Sequence, residues 1–229
     1  KCLTSGQTCV APDYLFLPAG SETEFIEHAM AAVARNYPQP LGANPDYSCM
    51  INARQLARVE ALLADARDKG ALVVALADAE EARRAGKLAP HLLFNVRDDM
   101  QIMQEEIFGP LLPVLIYQQL EEAVDYINAH ERPLALYLFD EEPGRVQQVL
   151  RQTLSGGVSV NSVMLHVLQE NLPFGGVGNS GLGHYHAEEG FQTFSKMRPV
   201  FYQARFNGSF LLKPPYGRLN QGLLRPRNR

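Results

Sequence analysis

The chain has 229 residues, with 21 Lys and Arg against 25 Asp and Glu and a formal charge of −4. That length fits one large domain or two small ones, and an apolar content of 46% allows a sizeable core. The basic residues are dispersed, which argues against nucleic acid as a partner. Only the tail Arg218…Arg225-Pro226-Arg227-Asn228-Arg229 concentrates them, and it reads as a solvated or partly disordered end. No apolar run reaches the roughly twenty residues that span a bilayer. The opening Lys1-Cys2-Leu3-Thr4-Ser5-Gly6 also lacks the apolar stretch of a signal peptide. Cys2, Cys9 and Cys49 are too few and too odd in number for a disulfide framework, so a reducing, cytoplasmic setting is expected. The missing initiator Met suggests a piece of something longer.

Along the chain, Tyr14-Leu15-Phe16-Leu17 is a short apolar run stopped by Pro18, and reads as a buried strand. Ser21 with Glu24 three residues on forms the pattern of a capping box ahead of Phe25, Ile26, Ala29 and Val33. Leu56, Val59, Leu62, Leu63 and Ala66 follow helical spacing until Gly70. Ala71 to Leu76 and His91 to Val96 read as strands, as does Leu112 to Tyr117. Leu120 to His130 is helical, Leu134 to Phe139 a strand, Val146 to Leu154 a helix and Gly157 to Asn161 a strand. Nearly continuous apolar strands alternating with amphipathic helices predict an α/β fold, a mostly parallel sheet covered on both faces. Val200-Phe201-Tyr202-Gln203 is a last extended run outside that rhythm.

Gly6-Gln7-Thr8-Cys9 lies in a turn of small and polar residues just before the first strand. A cysteine so placed can be exposed, and nearby backbone N–H groups favour its nucleophilic thiolate. The plainer reading is a small buried residue, the commoner fate of a free cysteine. The rest of the chain supports the nucleophile. Gly6-Gln7-Thr8-Cys9-Val10-Ala11-Pro12-Asp13-Tyr14 resembles the active-site cysteine segment of the aldehyde dehydrogenase superfamily. Glu105-Glu106-Ile107-Phe108-Gly109-Pro110 resembles its cofactor-contacting motif. Leu172-Pro173-Phe174-Gly175-Gly176-Val177-Gly178-Asn179-Ser180-Gly181 resembles its closing glycine-rich loop. The three stand in the family's order, and the resemblance covers essentially the whole chain.

Within the family, the likeness is to the dimeric class of fatty and aromatic aldehyde dehydrogenases, leaning toward the coniferyl group. Ala11-Pro12-Asp13-Tyr14, Asn44-Pro45-Asp46-Tyr47, Val158-Ser159-Val160-Asn161 with His166, and Gly183-His184-Tyr185-His186 carry that likeness. Where relatives usually have Phe and Asn, this chain has Cys2 and Thr4, which sets a second thiol near the first. Cys2 is expected to be inert; the alternative is a resting-state disulfide with Cys9.

The resemblance implies a three-layer αβα catalytic domain over residues 1–198 and an oligomerisation strand and tail over 199–229. The cofactor-binding domain lies outside the chain. It implies that Cys9 attacks an aldehyde, that Glu106 accepts bonds from the nicotinamide ribose, and that Phe108 packs beside it. It further implies NAD or NADP as the cofactor, the acid as the product and a homodimer as the native form. The family's general-base glutamate and adenosine-binding groups fall outside these residues, so the fragment alone is expected to be inactive and to self-associate. Phe174 either lines the substrate entrance or packs ordinarily.

Gly176-x-Gly178-x-x-Gly181 matches a dinucleotide fingerprint only literally, because no strand precedes it and no acid follows about twenty residues later. The histidines His166, His184 and His186 lack the compact spacing of a zinc site, so no metal is expected, and His166 and His184 are assigned hydrogen-bonded structural roles. Asn161 is expected to brace the site through backbone bonds. Two rival readings remain at this point: a cysteine-dependent acyl hydrolase using Cys9 with a histidine, and a non-catalytic dimerisation fragment.

Overall fold

The computed structural model describes residues 1–209 and 213–214; the basic tail from Arg218 lies outside them. Two compact units divide the chain at Thr193 and Phe194.

In the first unit, strands β1 (Leu15–Pro18), β2 (Leu72–Ala75), β3 (His91–Phe94) and β4 (Leu111–Tyr117) form one sheet in the order β1-β4-β3-β2. β1 and β3 both run parallel to β4, with Leu15 opposite Val114 and Leu92 opposite Leu112. Successive side chains in a strand point to opposite faces, and each face here has its own helix. Leu92, Phe94, Val114 and Leu17 meet Phe25, Ile26 and Ala29 of α1 (Glu22–Asn36). Leu93 and Leu111 meet Val59, Leu62, Leu63 and Ala66 of α2 (Ala53–Asp68) on the other side. This makes three layers, and all four residues of β3 are buried. Each such side chain contributes roughly 1.5–3 kcal/mol of apolar burial.

Local chemistry sets the helix ends. Asn52 accepts from the Gln55 N–H at 2.9 Å to start α2. Gly70, at φ +93°, closes it as the Ala71 N–H reaches back to the Ala66 carbonyl. The expected capping box at Ser21 does not form: the hydroxyl turns back onto the Pro18 carbonyl, within the tight turn that joins β1 to α1.

Two details differ from a single parallel sheet. β2 runs antiparallel to β3, and a short helix α3 (Ala79–Arg84), capped by Asp78, connects them. Strands β5 (Ala135–Leu138) and β6 (Gly157–Val160) form a separate parallel pair. Leu136, Leu138 and Val158 pack against Leu120, Val124 and Ile127 of α4 (Leu120–Ala129) and Val149 of α5 (Pro143–Gln152). After β6 the backbone turns through short 3-10 segments to α6 (Ala187–Thr193). The glycine-rich stretch opens no dinucleotide-binding helix; it holds only the single turn Gly178–Ser180.

In the second unit Val200-Phe201-Tyr202-Gln203 is exposed and carries no strand pairing within the described chain.

Candidate active site

Cys9 sits at the crest of a turn closed by the Ala11 N–H on the Thr8 carbonyl at 2.9 Å. It is exposed, while Val10 beside it is buried. The backbone leading in is unusual: Thr4, Ser5 and Gly6 all have positive φ, at +47°, +51° and +71°. Such a run costs conformational energy and persists only where surroundings over-determine it. Here they do. Ser5 Oγ donates to the Ser48 carbonyl, and Gln7 donates to Cys49 O at 3.1 Å while accepting from Ile51 N at 2.8 Å.

The loop is pressed against the second motif. A Cβ on Gly6 would lie 2.3 Å from the Gly109 carbonyl oxygen, so only glycine permits this approach. Further along, Asp13 Oδ1 accepts from the Ile107 N–H at 3.1 Å. Arg58, from α2, donates to the Glu106 carbonyl at 3.3 Å and the Ile107 carbonyl at 2.5 Å, and pairs with Glu105 at 3.1 Å. The structure thus folds the cysteine segment and the Glu105–Pro110 segment onto each other.

Between those ties, Ile107 is fully buried and its neighbours Glu106 and Phe108 are exposed. Phe108 holds φ +46° and remains 38% exposed. Desolvation, then the Asp13 charge, push the Glu106 carboxyl above its ordinary range, with Lys1 and Arg58 opposing. Lys1 Nζ is 3.9 Å from Asp13, and burial lowers its pKa to about 8 against the pull of Asp13 and Glu106. A carboxylate can accept from hydroxyl donors, and an exposed aromatic ring can cover a flat apolar face.

Tyr137, on the face of β5 opposite α4 and α5, donates to the Val10 carbonyl at 2.5 Å. His166 packs on Tyr137 with centroids 6.0 Å apart, and Phe174 on His166 at 6.2 Å. Phe174 is half-buried, paired through its backbone with Tyr185 and stacked on His186. An aromatic series therefore runs from the cysteine turn to the glycine-rich loop. Sequence reasoning missed Arg58 and Tyr137 and read Asp13 only as part of the cysteine segment, because each acts on a partner tens of residues away.

His166 bonds through Nδ1 to Ser159 Oγ at 2.9 Å, and His186 Nδ1 lies 3.1 Å from the Leu172 carbonyl. His184 is exposed, and its carbonyl accepts from Thr193; among the described residues its ring has no hydrogen bond of the kind expected. Among the described residues no histidine bonds the Cys9 thiol, which leaves the hydrolase reading without its base. No three His, Cys, Asp or Glu residues come together to hold a metal among the described residues. Asn161 clamps the Asp140 backbone from both sides, accepting its N–H and donating to its carbonyl. All three cysteines are free thiols.

Residues 1–200 match the model of the "Aldehyde dehydrogenase family". The chain is 51% identical over 224 residues to a probable coniferyl aldehyde dehydrogenase of Pseudomonas aeruginosa, covering 98% of this chain and 46% of that protein. A coniferyl aldehyde dehydrogenase of Pseudomonas sp. is 47% identical over 228 residues, covering 98% of this chain and 47% of its own. Among solved structures, a substrate-bound state of Staphylococcus aureus AldH superposes with a TM-score of 0.82 at 35% identity, over 96% of this chain and 47% of that one. The chain spans about half the length of the relatives it matches. With the family model, the relatives and the fold all in agreement, the chain belongs to the aldehyde dehydrogenase family.

Proposed function

We propose that the protein carrying this chain oxidises an aldehyde to its carboxylic acid with NAD or NADP, and that Cys9 is the nucleophile. The observation that carries this reading is the seating of the Cys9 turn against the Glu106–Phe108 segment through Gly6 and Gly109. The favoured substrate class is aromatic, such as coniferyl aldehyde, because that is what the names of two close relatives give; aliphatic aldehydes are the alternative.

The Cys9 thiolate adds to the aldehyde carbon and forms a thiohemiacetal, whose oxyanion is met by the Cys9 backbone N–H. Glu106 would accept the ribose hydroxyls of the cofactor, and Phe108 would pack beside its ring. A bound nicotinamide supplies hydride acceptance. The Cys9 thioester then loses its acyl group to water. Phe174 lines the substrate entrance in this reading. The general base and the adenosine-binding groups are assigned to segments outside these 229 residues, so the chain alone is proposed to lack turnover. Among the described residues no helix is long and apolar enough to cross a membrane; a cytoplasmic homodimer is the proposed working form.

The test is to supply the full-length protein with coniferyl aldehyde and NAD or NADP, and to measure acid and reduced nicotinamide together. Equimolar production supports the reading. Cofactor-independent release of acid from an ester, with no oxidation of aldehyde, overturns it in favour of the hydrolase.

A further inference from the structure

The turn that presents Cys9 has a feature that its nucleophile role alone does not require. The Tyr137 hydroxyl donates to the Val10 carbonyl at 2.5 Å. That carbonyl shares a peptide plane with the Ala11 N–H, which donates to the Thr8 carbonyl at 2.9 Å. The Thr8 carbonyl in turn shares its plane with the Cys9 N–H. Two peptide units therefore connect the phenol to the amide beside the thiol, each donating in the same sense. Hydrogen bonds in such a series polarise one another, by about 10–30% per bond.

We propose that Tyr137 is a positioning residue that aims and polarises the Cys9 backbone N–H, strengthening it as the donor to the oxyanion formed on Cys9. The inference rests on the reading of Cys9 as the nucleophile. The phenol is built to keep this place. Leu136 and Leu138 on either side anchor β5 to α4 and α5, so Tyr137 projects from the opposite face. Ser159 stands across from it in the parallel register and holds His166 by its Nδ1, and the His166 ring packs on the Tyr137 ring. Burial raises the phenol pKa, the Met164 backbone opposes that, and the nearby Cys9 charge adds to it. The hydroxyl thus remains a protonated donor near neutral pH.

Acylation and alkylation of Cys9 separate this role from a structural one. With p-nitrophenyl acetate, Sγ bonds to the acetyl carbon, the oxyanion collapses, p-nitrophenolate leaves, and the thiol proton passes to solvent. Iodoacetamide alkylates Sγ by displacing iodide, and no oxyanion forms. Both rates are measured at Cys9 in the full-length protein by peptide mass spectrometry. Tyr137→Phe keeps the ring and removes the donor. It is expected to slow acylation by about tenfold, a part of what a whole oxyanion donor supplies, and to change alkylation by less than about twofold. Replacing Tyr137 with 3-fluorotyrosine, a stronger donor, is expected to acylate at the unmodified rate or faster. An unchanged ratio of the two rates in Tyr137→Phe, or an equal fall in both, overturns the proposal. If Tyr137→Phe does not fold, a 3-fluorotyrosine chain acylating more slowly than the unmodified one overturns it. Unmodified chain that acylates Cys2 or Cys49 but not Cys9 overturns the nucleophile reading itself.

Discussion

The four-stranded sheet and the stretch that follows β6 make opposite uses of apolar side chains. In the first, Leu92, Leu93, Leu111 and Val114 are at most 2% exposed, enclosed by α1 and α2. In the second, Leu165, Leu168, Leu172 and Phe191 are 52%, 72%, 48% and 74% exposed, and Leu182 is almost wholly so. The first region completes its own core. The second leaves large apolar side chains exposed, the chemistry an interaction surface uses. The Cys9 turn takes its support from the two sheets: Gly109 lies just before β4 of the large one, and Tyr137 lies on β5 of the small one.

The largest effect expected is at the turn itself. Cys9→Ser in the full-length protein is expected to lower aldehyde oxidation by on the order of a thousandfold or more, because the covalent step loses its nucleophile. Initial rates of acid formation check this. The comparison of regions is sharpened by paired truncations. Leu93→Ala is expected to cost about 2–5 kcal/mol in denaturant unfolding, and Leu168→Ala less than about 0.5 kcal/mol. Leu168→Glu with Leu172→Glu should instead shift sedimentation toward monomer while leaving unfolding unchanged. Equal destabilisation by Leu93→Ala and Leu168→Ala would break the distinction.

A smaller effect is expected where the two motifs touch. Gly6→Ala places a Cβ against the Gly109 carbonyl at a positive φ, and should cost about 1–3 kcal/mol in thermal or denaturant unfolding. The smallest concerns Asp140 at the end of β5. Hydrogen bonds from Arg145 first, then from the Glu142 backbone N–H, hold its carboxyl down at about 2 from an ordinary 3.8. A depressed folded pKa adds stability that is present above the unfolded value and lost as pH falls through the folded one. Stability should therefore decline between about pH 4 and pH 2, and Asp140→Asn should flatten that part of the profile.

The sequence made much of this legible. Apolar runs such as Leu111–Tyr117 and the helical stripe Val59, Leu62, Leu63, Ala66 announce their elements because burial and periodicity coincide there. The three motifs were readable as strings. What strings cannot carry is direction and reach. Nothing in Leu72–Ala75 distinguishes an antiparallel edge strand from a parallel one. Helix α3 is six residues with only Ala82 buried, too short to show a stripe. Ser21 matched a cap, yet the turn after Pro18 offered its hydroxyl a nearer acceptor. Tyr137 looked like one more strand aromatic, because its partner is 127 residues earlier.

The central claim is that the Cys9 turn is organised for nucleophilic attack and not merely exposed. Cys9 and Cys49 are both exposed, so competitive alkylation of the three thiols near neutral pH separates organisation from access. Peptide mass spectrometry after brief iodoacetamide treatment should show Cys9 modified well ahead of Cys49, with Cys2 slowest because burial raises its thiol pKa. Equal modification of Cys9 and Cys49 would contradict the account.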